Sequence, residues 1–458
     1  MINFLFGVRR GRTAPRRQLH KFLLAGLLGP FISLPAAALE LPDPLTEADF
    51  IAVDRKQAEL GRLLFYDKIL SGNRNISCGT CHHHDLGGAD GLSLGIGEGG
   101  EGIGPDRTPG YDDMQIHARI PRSAPPIWNL GHKSVTMVFH DGRLSVSDIY
   151  GNGFDSPAGA HLPKGLNSIL AAQAMFPITS HDEMAGGVGE NEIADAVVDG
   201  LHKGWPLIEA RVRVVPGYGR LFAEAFAHIE TAEDITIVDI ANAIAAFEAS
   251  EWRNHDSDFD AYLAGEPDAL NDRETRGMEL FFGAAECSSC HSGPLFTDQS
   301  FHALALPEFG PGKTRGWDPL PRDIGRMLKT DDLNDLYRFR TPSLRNVALT
   351  APYGHNGAMP TLEAMIRHHV DPLGSLDRWT PDMARLPDVP WLQDADFALQ
   401  GDSDELARLA ARVDIDLPPL SERDISDIVA FLNCLTGRSA EARPLGRPDA
   451  VPSGLPVD

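Results

Sequence analysis

The chain has 458 residues with a formal net charge of −24, from 65 acidic and 41 basic residues; 42% of the residues are hydrophobic and 5 are cysteine. An acidic excess of this size argues against a nucleic-acid partner; it serves as a solvated surface or as a face that steers a basic electron-transfer protein. The length and apolar content allow two or three domains with real cores, so cysteines are not needed to staple the fold.

Residues 1–38 carry a basic start (Arg9, Arg10, Arg12, Arg16, Arg17, Lys21), an apolar run from Phe22 to Leu34 and Ala36-Ala37-Ala38. This is the pattern of a signal peptide with an A-x-A cleavage site. The run is short and broken by Gly26, Gly29 and Pro30, so a stable membrane span is not expected. Cleavage removes six basic and no acidic residues, taking −24 to −30.

Apolar residues at helical spacing predict a helix within Glu47–Phe65, leading into Cys78-Gly79-Thr80-Cys81-His82. A glycine-rich stretch (87–104) and a Pro/Gly-rich loop region (105–177) follow. Helical patterns return at 190–214 and 234–251, and residues 254–267 read as a connection. A helix over 271–282 then runs into Cys287-Ser288-Ser289-Cys290-His291. Another loop region (293–350), helices over 361–369 and 421–435, and a Pro-rich tail (441–458) expected to be disordered complete the chain. Gly61-Arg62-Leu63-Leu64-Phe65 is echoed by Gly277-Met278-Glu279-Leu280-Phe281, which indicates two similar modules. The expected fold is therefore mainly α: two cytochrome c-like domains, 45–252 and 268–440, with long loops and few strands.

Both cysteine motifs are C-x-x-C-H, the attachment signature of c-type haem. The thiols Cys78, Cys81, Cys287 and Cys290 would add to haem vinyl groups, with His82 and His291 as proximal iron ligands. A four-cysteine zinc site or a thioredoxin-like redox pair would require neither the histidine after each pair nor the preceding helix. Cys434, alone in an apolar helix, reads as a core residue. Two haems in one chain allow one to react while the other supplies electrons.

Over most of residues 45–440 the sequence resembles the bacterial di-haem cytochrome c peroxidase family, which includes MauG. The resemblance rests on both haem motifs, Phe139-His140-Asp141-Gly142-Arg143, Gln173 with Glu183-Met184, and Leu344-Arg345-Asn346-Val347-Ala348-Leu349-Thr350-Ala351-Pro352-Tyr353 followed by His355. It implies a periplasmic protein whose first haem reacts with hydrogen peroxide, with Glu183 as the acid–base residue and Gln173 beside it. It also implies a calcium ion held partly by backbone oxygens of Thr350 and Pro352, although Ser123 stands where the family often has an asparagine ligand. On the residues alone, Glu183 would be a solvated loop charge and 350–352 a plain loop.

Three positions depart from the peroxidase pattern. Glu98 stands where resting peroxidases place a removable histidine on the first haem, which implies an open first haem as in the MauG branch. Seventeen residues after Pro352, where peroxidases have methionine and MauG tyrosine as the far-side ligand of the second haem, stands His369, with His368 and Met365 as rivals and a surface histidine as the bland alternative. His140 replaces the family's tryptophan between the haems, for which Trp128 is a candidate substitute, and about twenty extra residues between Arg143 and Gln173 have no readable role. The expected activity is peroxide reduction with electrons from a small cytochrome c or cupredoxin. The alternatives are a MauG-like oxidation of a side chain on a partner protein and a non-catalytic electron carrier.

Overall fold

The computed structural model describes residues 39–111 and 115–458; the signal-peptide pattern at 1–38 lies outside them. The helix Arg55–Tyr66 begins at Asp54, whose carboxylate accepts from the backbone N–H of Lys56 and Gln57, and it buries Leu60, Leu64 and Phe65. It crosses the helix Ile237–Glu251, which is apolar nearly all round and buried on nearly all sides. The second haem motif is built the same way. Asn271 caps the helix Asp272–Phe282 in a reciprocal arrangement with Glu274, and this helix crosses Glu422–Asn433.

The echoed glycines explain why the two crossings match. A Cβ on Gly61 would lie 1.8 Å from the carbonyl oxygen of Ala243, and one on Gly277 would lie 1.9 Å from that of Asp427. Only a residue without a side chain lets the helices approach this closely. Beyond each glycine, a phenylalanine Cβ, of Phe247 or Phe431, sits 2.9 Å from the same point. The duplication therefore extends to a second helix in each half. The largest apolar cluster surrounds the first crossing, and a second gathers Phe259, Phe281, Phe296 and Phe431 around the other.

Strands are few, as expected. Met137–Val138, Leu144–Val146 and Phe154–Asp155 form a small antiparallel sheet, with Val138 opposite Leu144 and Val146 opposite Phe154. Phe301–His302 pairs with Phe339–Arg340. The motif Phe139-His140-Asp141-Gly142-Arg143 is the turn of the first hairpin, with Phe139 and Gly142 both at positive φ (68° and 62°). The extra residues after Arg143 supply the sheet's third strand and bury Phe154, Leu162 and Leu166 in the core, so they are structural in part.

Other elements are less legible in the sequence. The helices Pro216–Ala225, Pro372–Arg378 and Ser403–Ala410 fall where no element is expected, and Ile169–Ala174 lies inside the expected loop region. The tail is a correction: residues 445–458 pack on the N-terminal half instead of being disordered. Leu445 and Gly446 donate backbone hydrogen bonds to Glu251 (2.8 Å each), Ser453 Oγ donates to Asp67 (2.6 Å), and Val451 is buried. Asp458 meets Lys68 and the hydroxyl of Thr80. The Pro-rich composition suppresses regular elements, and side-chain anchors fix the path instead. Residues Leu39–Asp458 form one compact unit, and no described helix is long and apolar enough to cross a membrane.

Candidate active site

The N-terminal cavity is lined by Cys78, Cys81 and His82 on one side and by Gln173, Glu183 and Met184 among the other walls. The cysteines form no disulfide and are held as neutral thiols, pushed up chiefly by burial. His82 Nδ1 lies 3.0 Å from the carbonyl oxygen of Gly88, so the ring proton belongs there and Nε2 keeps its lone pair. Burial holds this imidazole below its ordinary pKa, in the neutral form a metal requires. These are the donors a covalently attached haem needs.

Gln173 sits near the end of the helix Ile169–Ala174, whose start is capped by Ser168. Glu183 lies on a single wide turn, in which the N–H of Ala185 donates to Ser180 O (2.9 Å) and that of Gly186 to His181 O (3.2 Å). Such turns are rare and collect at functional sites. Gly97 packs against this turn, where a Cβ would meet Asp182 O at 1.8 Å. Glu98 accepts from Asn73 (2.7 Å) and Asn75 (2.6 Å) and is not among the cavity-lining residues. Apart from His82, His140 is the only lining histidine among the described residues, and its Nε2 lies 3.2 Å from Ser123 O.

The C-terminal cavity is lined by Cys287, Cys290, His291 and His369, and also by Met365, Thr350 and Pro352. His291 Nδ1 lies 3.0 Å from Phe296 O, and His369 Nδ1 lies 2.8 Å from Met365 O, so both leave Nε2 unprotonated. Their ring centroids are 6.4 Å apart. An imidazole bound at about 2.0–2.1 Å puts its ring centre about 3 Å from the metal, so two rings on opposite sides of one ion lie about 6 Å apart. The observed spacing fits an iron held between them. Burial lowers both pKa values, that of His291 to about 4. His368 is turned away, with Nε2 2.7 Å from Leu304 O, and does not line the cavity.

The two cavities share a wall. Ser123, Ala124 and His140 line both, and His140 reaches this place from the hairpin turn. Burial first, then Arg122, lowers its pKa to about 4, so it is a neutral ring. The turn is clamped to the other half: Arg340 N donates to His140 O (2.7 Å), and Arg122 pairs with both Asp141 (2.7 Å) and Asp323 (2.6 Å). Trp128 does not substitute for the family's tryptophan. It donates to Gly87 O, packs on Trp252 and lines neither cavity.

Among the lining carboxyls that carry no sequence signal, two stand out. Glu248 faces the N-terminal cavity and Glu308 the C-terminal one, each with a buried oxygen lacking a partner. Burial raises Glu248 to about 8 and Glu308 well above its ordinary value. At the expected calcium position, the carbonyls of Thr350 and Pro352 accept no backbone hydrogen bond among the described residues, while the Ser123 hydroxyl is engaged with Gly354 O and His355 O.

Residues 55–268 match the sequence model described as di-haem cytochrome c peroxidase. The methylamine utilization protein MauG of Methylorubrum extorquens is 31% identical over 318 residues, covering 69% of this chain and 69% of that protein. This chain belongs to the di-haem cytochrome c peroxidase family. Cytochrome c551 peroxidase of Pseudomonas aeruginosa is 30% identical over 318 residues, covering 69% of this chain and 72% of that one. Among solved structures, a MauG-like protein associated with microbial copper homeostasis has a TM-score of 0.55 at 28% identity, over 90% of this chain and 97% of that chain. The di-haem peroxidase BthA of Burkholderia thailandensis (TM-score 0.55, 22% identity, 85% of this chain and 88% of that one) supports the fold. Family membership makes the protein a haem-dependent oxidoreductase and implies two haems; the relatives include both peroxidases and MauG.

Proposed function

We propose that this protein reduces hydrogen peroxide in the His82 cavity, using electrons that enter through the His291/His369 cavity. The observation that carries this reading is the asymmetry of the two sites: one cavity is lined by His82 with Gln173 and Glu183, the other holds His291 and His369 with ring centroids 6.4 Å apart. The haems, attached at Cys78/Cys81 and Cys287/Cys290, would supply the one-electron chemistry. His82 would hold one iron, and His291 with His369 the other. Glu183 takes a proton from one peroxide oxygen and returns it to the leaving oxygen, and Gln173 orients the peroxide by hydrogen bonding. With two electrons and two further protons, one peroxide gives two waters. Among the described residues, the other imidazole lining this cavity, His140, lies in the wall shared with the second cavity with its Nε2 3.2 Å from Ser123 O, and the Glu98 carboxylate is tied to Asn73 and Asn75.

The His291/His369 pair also favours a second reading. Histidine in place of methionine lowers an iron's potential, which suits a MauG-like oxidation of a partner protein's side chain better than uptake of electrons from an ordinary cytochrome. The test is to mix the purified di-haem protein with hydrogen peroxide and a reduced small cytochrome c or cupredoxin. Rapid donor oxidation that disappears in Glu183→Gln supports the peroxidase. Spectral reaction with peroxide but no donor oxidation supports the second reading. No reaction with peroxide leaves an electron carrier.

The export pattern at 1–38 supports a periplasmic location, and the Thr350 and Pro352 carbonyls are where a calcium ion would bind. A chelator that lowers the melting temperature, with calcium restoring it, tests the latter; no response removes it.

A further inference from the structure

Three cations line the N-terminal cavity: Arg122, Arg143 and Lys313. Two are already neutralised. Arg122 pairs with Asp141 and Asp323, and Arg143 pairs with Asp141 (3.1 Å) and lies over the Phe139 ring at 3.7 Å. Lys313 is different: among the described residues its ammonium has no ion pair and no side-chain hydrogen bond, although it is largely buried. Burial, then Arg143, lowers its pKa, while the charge of Glu183 acts in the opposite direction.

Lys313 comes from the C-terminal half and is held over a cavity of the N-terminal half. Its carbonyl accepts from Ile324 N (3.0 Å), and Gly310 N just before it donates to Asp396 O (2.6 Å). Just after it, Asp318 accepts from Thr314 (3.0 Å) and Arg322 (2.8 Å). A loop fixed on both sides holds an unpaired cation at the acid–base site, which is where a charge that appears during reaction would find a preorganised partner.

We propose that Lys313 is the cationic member of the peroxide site and makes this cavity a binding site for small monoanions. The inference rests on the His82 cavity being the reacting one. When H–O–O–H gives its proton to Glu183, one O–H bond breaks, another forms on the carboxylate, and the hydroperoxide carries a full negative charge while Glu183 becomes neutral. No electron changes hands in this step. The ammonium of Lys313 then balances the anion, and Glu183 and Lys313 act together as base and counter-charge.

The experiment is an absorption titration of the oxidised di-haem protein with sodium azide and of the reduced protein with carbon monoxide, a neutral ligand. Lys313→Met should weaken azide about tenfold or more and slow the spectral reaction with hydrogen peroxide by a similar factor, whereas Lys313→Arg should stay within about threefold. Carbon monoxide affinity should be unchanged in both. Unchanged azide affinity in Lys313→Met overturns the proposal, as does an equal loss for azide and carbon monoxide, which would mean collapsed packing. Azide binding that depends on Lys313 in a protein inert to peroxide would keep the anion site and remove the peroxidase reading. A peroxide reaction equally fast without the lysine would do the reverse.

Discussion

The two cavities are built on equivalent pairs of crossed helices and differ in what lines them beside His82 or His291. In the N-terminal half, the facing wall comes from Ile169–Ala174 and the wide turn around Glu183, both between the paired helices in sequence. In the C-terminal half, the helix Leu362–Val370 fills the corresponding interval and brings in His369. On the proposed function, the repeated helices would fix where each haem attaches and the segment between them whether it has room to react: one cavity holds Glu183, the other a second imidazole.

The comparison can be broken in four ways, from the largest expected effect down. Glu183→Gln should slow the peroxide reaction by about a hundredfold to ten-thousandfold in rapid mixing, with both haems still attached. An unchanged rate would remove the acid from the N-terminal site. His369→Ala should abolish the low-spin absorption of one haem and leave the other as it was; an unaltered spectrum would mean that the sites do not differ as described.

The third test uses Glu248, which lines the N-terminal cavity with one buried oxygen lacking a partner. Glu248 has its ordinary value of 4.5 in the unfolded chain and about 8 when folded, so between these pH values the folded chain holds the extra proton. Stability is therefore full below about pH 4.5 and falls as pH rises toward 8. The loss is a few kcal/mol at most, because each tenfold difference in proton affinity between the folded and unfolded chain is worth about 1.4 kcal/mol. Glu248→Gln should flatten that decline in urea titrations, and a decline of the same slope would refute the assignment.

The smallest effect concerns the shared scaffold. Gly61→Ala and Gly277→Ala should each cost about 1–3 kcal/mol by forcing the crossed helices apart. A marked inequality between them would show that the crossings are less alike than their geometry.

Much of this is legible because it is local. The C-x-x-C-H motifs and the capped helices before them are contiguous, and His369 can be reached by counting along a block without insertions. What is not legible depends on distant residues meeting. Gly61 and Gly277 read as part of a repeat, but the backbone carbonyls they meet, of Ala243 and Asp427, are far along the chain, and a carbonyl contact carries no residue-type signal. Lys313 carries no local pattern, and the role proposed for it comes from the residues that line the cavity with it. Trp128 has suitable ring chemistry and is excluded by position alone. The tail departs from expectation for a composition-based reason: proline content signals lack of regular structure, which is not the same as lack of a fixed path.

The path of that tail bears on biogenesis. Asp458 closes on Thr80, which lies between Cys78 and Cys81 and is 378 positions away in sequence. The helical turn that would receive the first haem is therefore held on one side by a segment from the other end of the described chain, while Cys78 and Cys81 stay partly exposed. Attachment of a haem at Cys78 and Cys81 would be easiest before this segment docks, which gives maturation an expected order: attachment first, docking second. A chain whose C-terminal segment docks too early would be folded, compact and lacking its reactive centre.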